Sequence, residues 1–239
     1  MSAIHFILQG KGGVGKSLIA ALITQYFSSK NAAVYCADTD PVNDTFARYK
    51  AFDAQRVKIM NGDNNIDSRS FDSLVESLVA HDGVSVIDNG ASTFVPLSSY
   101  LTENSVIELL QSAGKEVFIH TVLTGGQAID DTVSGLGALL KSQPAPVVVW
   151  ENEFFGEVAK DGKKFTDFSI YRNNSDRIKG VVKIHKRNQD TFGKDMEMLV
   201  SNKMTFDEAM TSDIFTLMPR QRLKIIQRSI YDQLEHIGL

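Results

Sequence analysis

Gly10-Lys11-Gly12-Gly13-Val14-Gly15-Lys16-Ser17 stands between an apolar run, Ile4 to Leu8, and a helix-periodic apolar stretch, Leu18 to Phe27. The pattern is G-x-x-x-x-G-K-[ST], a phosphate-binding loop, in the strand-to-helix setting that the motif requires. Glycine tolerates positive φ and leaves room, so backbone N–H groups at Gly10, Gly12, Gly13 and Gly15 can turn toward phosphate oxygens. A helix starting near Lys16 aims its N-terminal dipole at the same spot. Lys16 is expected to reach the β and γ phosphates, and the Ser17 hydroxyl to ligate Mg²⁺. The candidate nucleotide-binding residues are therefore Gly10, Lys11, Gly12, Gly13, Val14, Gly15, Lys16, Ser17 and Leu18.

Outward from the loop, strand-like runs recur at 4–8, 33–37, 56–60, 84–88, 116–123, 147–150 and 181–184. Helical stretches are expected over 16–29, 70–80, 95–111, 126–140, 190–200 and from Pro219 onward. Such alternation predicts an α/β fold, a mostly parallel twisted sheet with helices on both faces. Ligands in such sheets bind beyond the carboxyl ends of the strands. Three further strand ends carry chemistry. The second run closes in Asp38-Thr39-Asp40-Pro41, two carboxylates on one side of an extended chain, one able to face Mg²⁺ and the other the attacking water. The fourth closes in Asp88-Asn89-Gly90, which reads as a Walker B carboxylate that can bind Mg²⁺ through water. The sixth closes in Glu151-Asn152. A side-chain amide can bond an adenine's N6 and N7 together, and Asn at such a strand end is equally an ordinary turn residue.

The 239 residues are 43% hydrophobic with a formal net charge of −4, enough for one P-loop domain over residues 1–239. No apolar run approaches a membrane span and no signal peptide precedes the first strand, so the chain reads as cytoplasmic. The single cysteine, Cys36, rules out an intrachain disulfide or a Cys-ligated cluster within one chain. The acidic balance argues against a dedicated nucleic-acid binder, though a local basic patch stays open. Near the end, Leu223, Ile226, Ile230 and Leu234 share one helical face while Arg220, Lys224 and Arg228 fall elsewhere. This predicts an amphipathic helix over about 219–237, docked on the sheet.

Lys11, a second lysine early in the loop, gives Lys-Gly-Gly-Val-Gly-Lys-Ser and resembles the deviant Walker A box of the ParA/MinD-type ATPases. Several segments are similar to one subgroup, the plasmid conjugal-transfer and plasmid-stability proteins of the TraL and StbB type. They are Gln9 with the loop, Asp40-Pro41-Val42-Asn43, Asp88 to Leu97, Thr124-Gly125-Gly126-Gln127 and Pro219 to Lys224. The resemblance implies an ATPase that orients the attacking water with Asp40, supports Mg²⁺ with Ser17, Asp38 and Asp88, and contacts the purine ring with Asn152. Catalysis would rest on Lys11, Lys16 and Asp40, with Lys11 reaching the nucleotide of a second copy in an ATP-dependent homodimer. It further implies a plasmid-encoded DNA-binding or transfer protein as partner, and a DNA or membrane surface in the ATP-bound state. Two departures stand out. The family often has Asp-Thr-Pro-Pro where Asp88-Asn89-Gly90-Ala91 stands, and proline where His185 stands. A nucleotide-binding adaptor with weak turnover, or a metabolic enzyme on the same fold, are the competing readings. A reductase with a shared cluster needs two cysteines per subunit and is excluded.

Overall fold

The computed structural model describes residues 2–60 and 66–239. In chain order the elements are β1 (Ala3–Ile7), α1 (Lys16–Ser29), β2 (Val34–Asp38), β3 (Gln55–Arg56), α2 (Ser70–Ala80), β4 (Val84–Asp88), α3 (Phe94–Glu103), α4 (Val106–Ser112), β5 (Glu116–Thr124), α5 (Ile129–Ser142) and β6 (Val147–Asn152). Then come a hairpin of β7 (Ala159–Lys160) and β8 (Lys163–Lys164), α6 (Ser169–Arg172), β9 (Ile178–Ile184), α7 (Lys194–Ser201), α8 (Phe206–Thr211) and α9 (Leu217–His236).

Seven strands form one parallel sheet in the order β3-β2-β4-β1-β5-β6-β9. β1 lies near its middle and is buried along its whole length, as a central parallel strand with both faces covered must be. One core packs α1 and α7 to α9 against the sheet through Ile19, Ile23, Phe27, Val86, Trp150 and Ile230. The other packs α2 to α5 through Phe71, Leu97, Ile107, Leu136, Ile119 and Val149. Because every strand of the sheet runs the same way, the strand ends that carry polar residues collect on one rim. The register sets Asp38 opposite Asp88 and Thr124 opposite Asn152.

A polar chain crosses the first core. The Trp150 Nε1–H donates to His120 Nδ1 at 3.0 Å. That leaves the His120 Nε2–H to donate to His5 Nδ1 at 2.9 Å, so His5 carries its own proton on Nε2, which has no partner among the described residues. Burial pushes His5 down to about 3 and holds His120 well below the usual imidazole range, the latter helped by His5.

Four expectations change in detail. The stretch 95–111 is two helices, because Ser105 turns left-handed at φ 48° between them and Asn104 bonds back to the Tyr100 carbonyl. Short polar side chains tolerate that conformation and end helices. The strand expected over 56–60 is only Gln55–Arg56, because β2 stops at Asp38, whose carbonyl takes the Val57 N–H. The helix expected from 190 begins with a π turn at Gln189–Gly193, and the one expected from 126 with a 3₁₀ turn. The hairpin, α6 and α8 have no counterpart in the sequence reading. The terminal helix is docked, with Leu223, Ile226, Ile230 and Leu234 buried.

Candidate nucleotide-binding site

The loop from Gly10 to Ser17 joins β1 to α1 at the rim. Gly13 has φ 73° and Gly15 φ 106°, conformations that a side chain strains. Gly15 is also the residue preceding α1, and a Cβ there would lie 2.9 Å from Asn152 Nδ2. At Gly13 nothing among the described residues lies within 4 Å of a would-be Cβ, so it is the left-handed backbone and not crowding that calls for glycine there. Exposed backbone amides around an open concavity at a helix N-terminus make an anion site.

Lys16 is buried, and its Nζ donates to the Lys11 carbonyl at 3.0 Å. Burial lowers its pKa, while Asp88 and Asp40 oppose that. Asp88 closes β4 and is 1% exposed. Burial pushes its carboxyl up to about 7, with the Ser17 hydroxyl and Lys16 pulling down and Asp38 and Asp40 pushing up. Its Oδ1 is buried with no hydrogen-bond partner among the described residues. An orphaned carboxylate oxygen beside a serine hydroxyl and a lysine is costly unless something cationic completes it.

Asp38 is engaged differently. Its Oδ1 accepts the Asp40 N–H at 3.0 Å, and its Oδ2 accepts those of Phe46 and Ala47 at 3.1 and 3.0 Å. Burial nonetheless raises its pKa. The carboxylate thus folds the segment 39–47 against the rim. Asp40 Oδ1 accepts the N–H groups of Val42 and Asn43. A Cβ on Gly90 would come within 2.7 Å of Asp40 Cγ, so Gly90 is what lets the loops after β2 and β4 touch. Asn89 ties them further: its Oδ1 accepts from Thr39 and Thr93 hydroxyls at 2.9 and 2.5 Å.

Asn152 meets the loop. Its Nδ2 donates to the Val14 carbonyl at 2.9 Å and its Oδ1 accepts the Phe154 N–H at 3.1 Å, so both ends of the amide are in use. A cavity of about 580 Å³ opens beside it, bounded by Gly15, Leu18, Ile184, Phe192 and Ile226. This is within the size range of small-molecule sites. A comparable cavity of about 590 Å³ at the β2–β3 edge, near Tyr35 and Ser73, lies away from these groups. His185, at the turn after β9, lies 3.5 Å from Glu153 at the mouth of the first cavity.

Lys11 points outward. Its Nζ meets Asp131 Oδ2 at 2.7 Å, both side chains half-exposed. The structure therefore brings Lys16, Ser17, Asp38, Asp40 and Asp88 to one locus and Asn152 to its flank, while Lys11 lies on the outer rim. Sequence reading missed Asn89 and Asp131. Asn89 was legible only as a departure from a family pattern, and Asp131 lies 120 residues from Lys11 with no local signal.

The sequence profile of the CobQ/CobB/MinD/ParA nucleotide-binding domain matches residues 5–233. A protein called TraL from Escherichia coli is 47% identical over 241 residues, covering 100% of both chains. Among solved structures, the MinD cell division ATPase of Pyrococcus furiosus superposes with a TM-score of 0.53 at 14% identity, covering 97% of this chain and 99% of that one. The MinD of Pyrococcus horikoshii, complexed with Mg-ADP, gives 0.51 at 16% identity over 100% and 99%. At such identities the structural likeness speaks for the fold.

Proposed function

We propose that this chain, which belongs to the CobQ/CobB/MinD/ParA nucleotide-binding family, is an ATPase switch that pairs with a second copy when ATP is bound and separates after hydrolysis. The observation that carries the reading is the unpartnered, buried Asp88 oxygen beside Lys16 and Ser17, at a loop in which Gly13 and Gly15 are left-handed. The donor set fits Mg²⁺ with a nucleotide: hard oxygen ligands from Ser17 and Asp88, with Asp38 behind them. When bound, Mg²⁺ supplies neutralisation of phosphate charge.

This chain's own groups divide the remaining tasks. The loop amides cradle phosphate oxygens. Lys16 neutralises charge from a desolvated position, where its attraction is strong. Asp40 lies on the loop that meets Gly90, and there it orients the attacking water. Asn152 flanks the base cavity, and reading a purine edge requires it to exchange its present partners, Val14 and Phe154. Lys11 is already outside its own phosphate cradle, which favours a role toward a second copy's nucleotide.

The identity to a protein called TraL supports a setting in plasmid conjugation or plasmid maintenance, with a plasmid-encoded DNA-binding or transfer protein as partner. Among the described residues no helix is long and apolar enough to cross a membrane. The switch reading is tested by the mass of the protein in solution with ATP–Mg²⁺, with ADP–Mg²⁺ and without nucleotide, together with phosphate release. A dimer confined to ATP, with turnover, is expected. A mass that ignores nucleotide refutes the switch, and tight ATP binding without phosphate release would leave an adaptor.

A further inference from the structure

Gln9 is fully buried one residue before the phosphate loop, and its amide is used from both ends. Its Nε2 donates to the Val122 carbonyl at 2.9 Å and the Thr132 carbonyl at 3.1 Å, with the Thr121 hydroxyl at 3.3 Å. Its Oε1 takes the Lys11 N–H at 3.4 Å. These contacts join the segment after β1 to β5 and to the first turn of α5. Gly135, further along α5, fits only because it lacks a side chain. A Cβ there would run into Gln9 Oε1 and lie 2.9 Å from Cδ. The glycine is needed for close approach rather than for its backbone angle. Asp131, one helical turn before Gly135, holds Lys11 Nζ. The Lys11 peptide is thus gripped on both sides, its N–H by Gln9 and its carbonyl by Lys16.

We propose that Gln9 is a positioning residue for Lys11: the Gln9–Gly135 contact fixes the loop entrance on α5, so that the Lys11 side chain leaves toward Asp131 and the outer rim instead of folding into its own phosphate cradle. The role of Lys11 itself rests on the switch reading above, but the clamp does not. A buried amide whose two N–H donors are held by the Val122 and Thr132 carbonyls is stiff, because losing either bond leaves a desolvated donor. Stiffness at the loop entrance is what a side chain with four rotatable bonds needs to present its charge in one direction.

Two readouts separate the clamp from the switch. The first uses protein without nucleotide: the acetylation rate of the Lys11 amine with acetic anhydride, read by mass spectrometry against the other lysines. Gln9→Leu, close in volume but without the amide, should raise Lys11 labelling several-fold, toward the level of Asp131→Ala, with the other lysines unchanged. Gly135→Ala should do the same, and Gly135→Ala combined with the shorter Gln9→Asn should return toward wild type. If Gln9→Leu labels Lys11 as the wild type does in a folded protein, the clamp is refuted, whatever ATP does. The second readout is ATP turnover. Gln9→Leu should lower kcat about tenfold with KM little changed, and should leave nucleotide affinity as it is in both the wild-type and the Lys11→Ala background. A purely architectural Gln9 would depress nucleotide affinity and melting temperature equally in both backgrounds, and that outcome overturns the proposal. A wild type without ATP-dependent turnover sinks the switch reading, and the labelling experiment still decides the clamp.

Discussion

Asp88→Asn should make the nucleotide-free protein more stable, and increasingly so as pH rises. Burial pushes the native carboxyl up to about 7, against an ordinary value of 3.8. Between those values the native state binds a proton that the unfolded chain has released. Stability therefore falls as pH rises through that window, and the full loss is present above pH 7. Each unit of the difference corresponds to about 1.4 kcal/mol, so the whole shift is worth about 4 kcal/mol and the part between pH 5 and pH 8 about 3 kcal/mol. The variant has no carboxyl to ionise and escapes this loss. Thermal or urea melts of both proteins at pH 5, 6, 7 and 8 give the test. The variant's advantage should grow by about 3 kcal/mol across the series, at about 2–4 °C of melting temperature per kcal/mol for a chain of this size. Magnesium-dependent nucleotide binding should be weakened in the same variant. Melting curves that stay parallel from pH 5 to pH 8 would show that Asp88 is solvated or already partnered, and the argument from its orphaned oxygen would go with it.

Lys16→Ala should abolish tight ATP–Mg²⁺ binding while the fold survives, since among the described residues the ammonium hydrogen-bonds the Lys11 carbonyl alone; unchanged affinity in a titration calorimeter would count against the loop assignment. Asp40→Ala should keep ATP binding, lose phosphate release and accumulate as the ATP-bound dimer, whereas wild-type turnover would mean that another group orients the water. Lys11→Ala should bind ATP as a monomer and return the stalled Asp40→Ala protein to monomer in light scattering; dimerisation like wild type leaves only a generic phosphate-loop protein. His5 is pushed down to about 3 by burial, below the unfolded value near 6.5. Its contribution is complete above pH 6.5 and is lost as pH falls through the window below it, so His5→Leu should flatten the loss of melting temperature between pH 7 and pH 5, and an unchanged slope would contradict the buried neutral pair.

The phosphate loop, the alternation of strands and helices, and the three polar strand ends were legible in the sequence because each is local. Four glycines and Lys16-Ser17 fix a turn conformation within eight residues, and period and strand-end composition need no distant partner. The docked helix was legible for the same reason, since Leu223, Ile226, Ile230 and Leu234 recur at helical spacing. What the sequence left open is set by contacts that join remote segments. The parallel register sets Asp38 beside Asp88, and the burial there leaves one oxygen of Asp88 unpartnered. Close approach makes Gly90 fit against Asp40 and Gly135 against Gln9, although neither glycine has an unusual φ to mark it. Asp131 meets Lys11 across 120 residues. Local sequence can specify which groups a rim will carry, but their distances and their charges depend on packing and desolvation, which exist only once the chain has closed on itself.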